Sequence, residues 1–253
     1  MEILIERDLE AISAKAARFF MSLAGKRIRE SGSFVIALSG GSTPIRFYKS
    51  LSSALYRRTI AWSKVHIFWV DERYVASDHP DSNFRLIHDN LLQDIILPRA
   101  NIHPINTDCS SPSACAKNYE AEIREFFNIG EKGMIPRFDL VMLGIGEDGH
   151  IASLFPGSRA LSDKKRLAVA VRSRTRQHNR ITLTIPVLNN AAQIVFLCSG
   201  EAKAPILEKV VMKRKKNLPA SLVCPDHGKC LFLIDRDAGR YMLNAKVNNH
   251  AVR

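Results

Sequence analysis

Apolar residues at Leu9, Ile12, Ala16, Phe19 and Leu23 recur every three or four positions, the period of a helix with one buried face, so an amphipathic helix is expected near the start of the chain. The pattern then changes. Phe34 to Leu38 is unbroken apolar, as in a strand covered on both faces, and Ser39-Gly40-Gly41-Ser42-Thr43-Pro44 follows it. A helical pattern resumes through Phe47, Leu51 and Leu55. Val65 to Val70 reads as a second strand, Asn83 to Ile95 and Ser111 to Phe127 as helices, and Phe138 to Leu143 as a third strand running into glycines. Leu167 to Val171, Arg180 to Ile185, Ile194 to Cys198 and Cys230 to Ile234 are further strand candidates. Apolar strands alternating with helices predict an α/β fold, Rossmann-like and doubly wound around a mostly parallel sheet. Ligands of such sheets bind beyond the carboxyl ends of the strands. The loops after Leu38, Val70, Leu143 and Cys198 are therefore where chemistry is expected.

Composition narrows the class. The chain has 253 residues, 46% of them hydrophobic, which is enough for a substantial core. No Ser/Gly/Pro-rich linker, low-complexity tract or fixed-period repeat interrupts it, so one domain over residues 1–253 is expected. The first residues, Met1 to Asp8, carry acids and no basic leader. No apolar stretch approaches the roughly 18 residues of a membrane span. A cytoplasmic protein without a membrane partner is expected, working as a monomer or weak dimer. Five cysteines without a C-x-x-C pair argue for free thiols rather than a zinc or disulfide framework, and no metal is expected.

Charge adds one asymmetry. The net charge is +12, yet residues 1–150 carry 18 Lys/Arg against 19 Asp/Glu, whereas residues 151–253 carry 19 against 6. A basic half attracts anions: a phosphorylated substrate, nucleic acid or an acidic surface. The run Lys213-Arg214-Lys215-Lys216 has no interleaved aromatics for base stacking, and helix-turn-helix, zinc-finger and RNP signatures are missing, so no nucleic-acid partner is expected.

Within the selected loops, Gly40 and Gly41 let backbone approach a ligand, while Ser42 or Thr43 can cap the following helix and Pro44 suits its first turn. Free amides at a helix start favour an anion such as phosphate, although an ordinary capped turn has the same residues. The loop lacks the lysine of a P-loop and the spacing of a dinucleotide fingerprint. After Val70 come Asp71-Glu72-Arg73 and then Ser82-Asn83. Arg73 can fork onto phosphate or carboxylate oxygens, and Asp71 can orient a sugar hydroxyl or a histidine; a structural ion pair is the alternative. The loop after Leu143, Gly144-Ile145-Gly146-Glu147-Asp148-Gly149-His150, places a carboxylate two residues from an imidazole. Histidine titrates near ~6.5 and can take a proton from water at neutral pH. Arg180 and Lys203 lie near strand ends in the basic half, where either could reach a phosphate.

Taken in order, these loops resemble the 6-phosphogluconolactonase family. The resemblance spans nearly the whole chain. It is carried by Ser39 to Pro44, Trp69 to Arg73, Ser82-Asn83, Leu143 to Gly157, Arg180 to Thr184, Gly200 to Lys203 and Leu218 to Ser221. It implies an isomerase/CoA-transferase-like fold shared with glucosamine-6-phosphate deaminases. It also implies hydrolysis of 6-phosphogluconolactone to 6-phosphogluconate, in the oxidative pentose phosphate pathway, without cofactor or metal. Ile151 stands where the family often has threonine, and Leu231 to Asp235 lacks a tryptophan often found there.

Two other readings compete. A sugar-phosphate isomerase/deaminase shares Gly-x-Gly-x-Asp-Gly-His but continues to Phe-Asn-Glu-Pro-Gly, with the glutamate serving ring opening. Here Phe155 takes the glutamate's place, and an aromatic ring cannot move protons. The other reading is a non-enzymatic sugar-phosphate sensor or nucleic-acid binder that uses the basic half. The expected mechanism has His150 as general base, Asp148 and Asp71 as accompanying carboxylates, and a phosphate held by Gly40, Gly41, Ser42 and Thr43. Arg73, Asn83, Arg180 and Lys203 complete the binding set. A lactone is an activated ester and needs no covalent nucleophile. No Gly-x-Ser-x-Gly elbow is present, so Ser39, Ser42 and Ser153 are not expected to act as one.

Overall fold

The computed structural model describes residues 1–130, 133–172, 177–213, 215, 217–225 and 227–243. Arg214 and Lys216 of the basic run, and the tail from 244 onward, lie outside the described residues. A seven-stranded parallel sheet forms the centre. Its strands are β1 (Glu2–Glu6), β2 (Phe34–Leu38), β3 (Val65–Trp69), β5 (Ile102–His103), β6 (Leu140–Leu143), β9 (Gln193–Cys198) and β10 (Lys229–Asp235), in the spatial order β1-β10-β9-β6-β2-β3-β5. A separate antiparallel sheet contains β4 (Asp71–Arg73), β8 (Arg180–Leu183) and β7 (Ala168–Val171). Leu167 to Val171 and Arg180 to Ile185 therefore form strands but do not join the parallel sheet. Short apolar runs do not carry strand direction, which tertiary pairing decides.

The helices follow from local chemistry. Helix α1 (Leu9–Ser31) starts where the Asp8 carboxylate accepts the Ala11 N–H at 2.8 Å. It stops at Gly32, whose φ of 81° is left-handed and whose N–H reaches the Ile28 carbonyl. Its buried face, Ile12, Ala16, Ala17, Phe20 and Ala24, packs on the core beside Phe34, Phe47 and Trp62. The helical pattern through Leu55 divides into α2 (Thr43–Leu51) and α3 (Ala54–Thr59), separated by Ser52 and Ser53. Asn83 to Ile95 divides into α4 (Asn83–Asn90) and a single 3₁₀ turn, Leu92–Asp94. Helix α5 (Pro112–Phe126) is capped by Ser111. The shorter α6 (Ile185–Asn189) and α7 (Ala204–Leu207) complete the set.

Connectivity places the functional loops. From β2 the sheet grows one way through β3 and β5; from its other neighbour, β6, it grows the opposite way through β9, β10 and β1. The winding reverses between β2 and β6, and the carboxyl ends at such a reversal open a crevice. No described helix is long and apolar enough to cross a membrane.

Candidate active site

At that reversal lies a cleft of about 200 Å³ lined from four strand ends. The end of β2 contributes Ser39, Gly40, Gly41, Ser42, Thr43 and Pro44. Asp71, Arg73 and Asn83 come from the segment after β3, and Gly144, Gly146 and His150 from the loop after β6. Cys198 and Lys203 come from the end of β9. Residues more than a hundred positions apart thus share one small space.

The β2 loop is held from both sides. The Ser39 hydroxyl donates to the Met142 carbonyl at 2.7 Å, tying β2 to β6, and the buried Tyr48 hydroxyl donates back to the Ser39 carbonyl at 2.5 Å. Burial, with the nearby Asp71 charge, pushes the Tyr48 phenol well above its ordinary value, so it is a fixed donor and not an acid. Gly40 has no room for a side chain, because a Cβ there would lie 1.8 Å from Asn83 Oδ1. Gly41 is left-handed, with φ 102°. Ser42 precedes α2 without capping it through its side chain, so its hydroxyl is not committed to the helix start.

Asp71 and Glu72 are both buried, with different partners. The Asp71 carboxylate accepts the Ser153 hydroxyl at 2.6 Å and a longer bond from Asn83 Nδ2, which also donates to the Asp71 carbonyl at 2.9 Å. Glu72 accepts the backbone N–H groups of Arg73, Asn83 and Phe84, each at 2.7 Å, and the Ser82 hydroxyl. It thereby clamps the start of α4 onto β4. Burial pushes its carboxyl up to about 7 against the pull of those three amides. The sequence marked Glu72 as charged but gave no sign of this clamp, which depends on a helix start ten residues away.

Arg73 lines the cleft with its guanidinium anchored by one nitrogen, Nη1, which donates to the Asp81 carbonyl at 2.6 Å. Its Nε is buried and has no protein partner among the described residues. Arg180 is the register partner of Arg73 across β4 and β8. It stands beside the cleft and is not among the described residues that line it.

The loop after β6 is a compact turn. The Gly146 N–H donates to the His150 carbonyl at 2.8 Å and the Gly149 N–H to the Gly146 carbonyl at 2.9 Å. The Asp148 carboxylate accepts both the His150 amide and, at 2.5 Å, the His150 ring at Nδ1. That contact assigns the Nδ1 proton to the Asp148 side and leaves Nε2 as the acceptor. Asp148 does not line the cleft; it orients the histidine that does. The His150 ring also packs on Phe155, with centroids 4.9 Å apart. Beyond it Ala152 adopts φ 49°, a left-handed conformation that costs about 1–2 kcal/mol without glycine. This kink precedes Ser153, whose N–H meets Thr182 Oγ1 and whose hydroxyl reaches Asp71. Ser153 thus links the loop after β6 to β8 and to Asp71. Cys198, also in the lining, has its thiol pushed up to about 12 by burial and is no nucleophile at neutral pH.

Comparison with known proteins bears on the family and the fold. The family model described as glucosamine-6-phosphate isomerases/6-phosphogluconolactonase matches residues 7–232. The chain is similar to the 6-phosphogluconolactonase of Synechocystis sp., 41% identical over 240 residues that cover 94% of this chain and 93% of that one. Among solved structures it resembles 6-phosphogluconolactonase from Trypanosoma cruzi, with a TM-score of 0.81 and 28% identity over 94% of this chain and 96% of that one. A monomeric glucosamine-6-phosphate deaminase shares the fold, with a TM-score of 0.78 at 24% identity over 95% of this chain and 99% of that one.

Proposed function

This chain belongs to the glucosamine-6-phosphate isomerase/6-phosphogluconolactonase family, and on that footing we propose that it hydrolyses 6-phosphogluconolactone to 6-phosphogluconate with His150 as general base. The observation that carries this reading is the Asp148–His150 pair in a cleft shared with a glycine loop, Arg73 and Lys203. The Gly40–Thr43 segment and Lys203 receive the 6-phosphate. Exposed amides at the start of α2 suit an anion, and a lysine on a flexible stem adds a point charge. Binding at that remote end holds the lactone carbonyl for attack. His150 Nε2 takes a proton from water, whose oxygen bonds to the carbonyl carbon, while Asp148 stabilises the imidazolium through Nδ1–H. The ring C–O bond then breaks and the imidazolium returns the proton to the departing oxygen.

The tetrahedral oxyanion needs preorganised donors. The amides of Gly146, Gly149 and His150 are engaged within their own turn. Arg73 suits the task better. One nitrogen pins its guanidinium to Asp81, and its buried Nε is uncommitted to protein. Deaminase chemistry lacks a working group, because Phe155 rather than a carboxylate faces the histidine. One apolar cluster runs through both sheets, which supports reading the chain as a single domain.

The test is His150→Ala, assayed by fast proton release on freshly made lactone. The expected fall in kcat is about 10²–10⁴-fold with the fold retained. Turnover near that of the parent enzyme would remove His150 as the base.

A further inference from the structure

Outside the cleft, among the described residues, one group of histidines and acids converges closely enough to hold a metal: His79, Asp81 and His178, whose ligand atoms lie within 4.8 Å of one another. His178 Nε2 is 3.0 Å from Asp81 Oδ2, and His79 Nδ1 is 4.0 Å from the same oxygen. The two imidazoles stand edge to face, 5.4 Å between centroids. All three residues are half-buried, and the His178 side chain is 18% exposed.

The spacing 79, 81 and 178 shows no metal motif in the sequence, because the small antiparallel sheet brings the ligands together. Tyr74 donates its N–H to the Asn179 carbonyl at 2.8 Å, and Arg73 and Arg180 are register partners, so His178 enters β8 beside the turn that carries His79 and Asp81. That turn is itself braced. Arg73 donates to the Asp81 carbonyl, and Arg85 to the Asp78 carbonyl at 2.7 Å. The backbone positions are therefore set before any ion arrives.

We propose that His79, Asp81 and His178 form a binding site for a divalent transition-metal ion of the Zn²⁺ class, with water completing a four-coordinate shell. Two imidazole nitrogens and one carboxylate oxygen suit Zn²⁺, Co²⁺ or Ni²⁺ and are a poor set for Mg²⁺ or Ca²⁺, which prefer all-oxygen shells. Metal bonds of about 2.0–2.1 Å in a tetrahedron place ligand atoms about 3.3 Å apart. The His178–Asp81 separation already fits. His79 Nδ1, 4.0 Å from Asp81 Oδ2 and within 4.8 Å of the other ligand atoms, needs to close by no more than about 1.5 Å, turning from the Asp81 N–H that it now accepts at 3.0 Å. His79, Asp81 and His178 are not among the described residues that line the cleft, and an ion bound there would brace the turn whose Asp81 carbonyl anchors Arg73.

The experiment is independent of the lactone reading. Full-length protein is stripped with chelator, exchanged into chelator-free buffer and titrated with Co²⁺ under reducing conditions. The parent chain should take up one equivalent with the visible d–d bands of four-coordinate cobalt and without thiolate charge-transfer bands. Zn²⁺ should displace it and raise Tm by about 5–10 °C at a hundredfold excess over its Kd. His178→Ala and Asp81→Asn should each weaken Co²⁺ binding at least tenfold, on the scale of about 10–100-fold seen when a site's supporting partners are lost. Each variant's metal-free Tm checks its fold, and if one is unfolded the other carries the test. The proposal is overturned by absence of the bands in the parent chain, by thiolate bands that place cobalt on cysteine, or by unchanged binding in a folded variant.

Discussion

A single methyl group at Gly146 should disable the histidine without touching it chemically. A Cβ built there would stand 1.9 Å from His150 Nδ1, 2.0 Å from Cε1 and 2.8 Å from Asp148 Oδ1. Ordinary contacts begin near about 3.5 Å, so the ring must retreat by about 1.5 Å or swing off Asp148. The backbone offers no competing explanation, since Gly146 is not among the left-handed glycines and accepts an L-residue without strain. Displacing a reacting group by about 1 Å costs about 10²-fold. Gly146→Ala is therefore expected to lower kcat about 100-fold or more, with KM for the phosphorylated lactone within about threefold and Tm within a few degrees. The assay is stopped-flow proton release on freshly generated lactone, corrected for spontaneous hydrolysis. The decisive comparison is a double-mutant cycle. In a His150→Ala background the imidazole is gone and only the 2.8 Å approach to the Asp148 carboxylate is left, so Gly146→Ala should cost little further. Retention of kcat within about threefold in the single variant, or a full 100-fold loss on top of His150→Ala, refutes the assignment.

Three further outcomes are expected. Asp148→Asn keeps the loop but loses the carboxylate that fixes the Nδ1 proton, so kcat should fall about 10²–10⁴-fold while product affinity, read by calorimetry, stays put. Arg73→Lys and Lys203→Ala should separate in steady-state kinetics. Loss of the planar fork lowers kcat by about 10²-fold if it serves the oxyanion, whereas loss of the lysine raises KM by about 10–100-fold and leaves kcat within a few-fold. A phosphate-free lactone should be insensitive to the second change. Glu72 gives a pH signature. Its folded-state pKa is raised from 4.5 to about 7, so the native state keeps the proton longer than the unfolded chain. Its contribution is complete below about pH 4.5 and is lost as pH rises through 7, by up to about 3 kcal/mol. Urea unfolding across that window should show the parent chain losing stability relative to Glu72→Gln; a constant difference between the two removes Glu72 as the titrating group.

How far the sequence could be read depended on what each feature requires. Phe34 to Leu38 is a strand with the expected bounds because an apolar run buried on both faces leaves the backbone one arrangement that pairs its polar groups. The cleft loops were legible because glycines, caps and charges at strand ends are local signals. Sheet membership was not. β7 and β8 look like core strands, yet β8 pairs antiparallel with Asp71–Arg73 on one side and with β7 on the other, a pairing that no local pattern encodes. β1 was missed because its alternation is flanked by acids and its partner, β10, lies more than two hundred residues away. The Asp148–His150 hydrogen bond was open from spacing alone, since residues two apart need not meet. The left-handed Gly149 turns the chain so that they do.

The choice between lactonase and deaminase gains a physical basis from where Phe155 sits. At the level of sequence it only marks the absence of a carboxylate. In the structure its ring packs against His150 itself, opposite in kind to the contact that Asp148 makes. The imidazole is thus held by one carboxylate partner at Nδ1 and by an apolar wall. A second carboxylate at that wall would compete for the proton and give the site two acid–base groups, as ring opening requires. An apolar neighbour leaves one, which is what attack by water on an activated ester needs. Replacing Phe155 with glutamate should therefore slow lactone hydrolysis rather than add an activity. The rate on freshly made lactone should fall at least about tenfold, because the new charge draws on the same imidazole. An unchanged rate in that variant would show that the ring contact is packing alone and plays no part in tuning the imidazole.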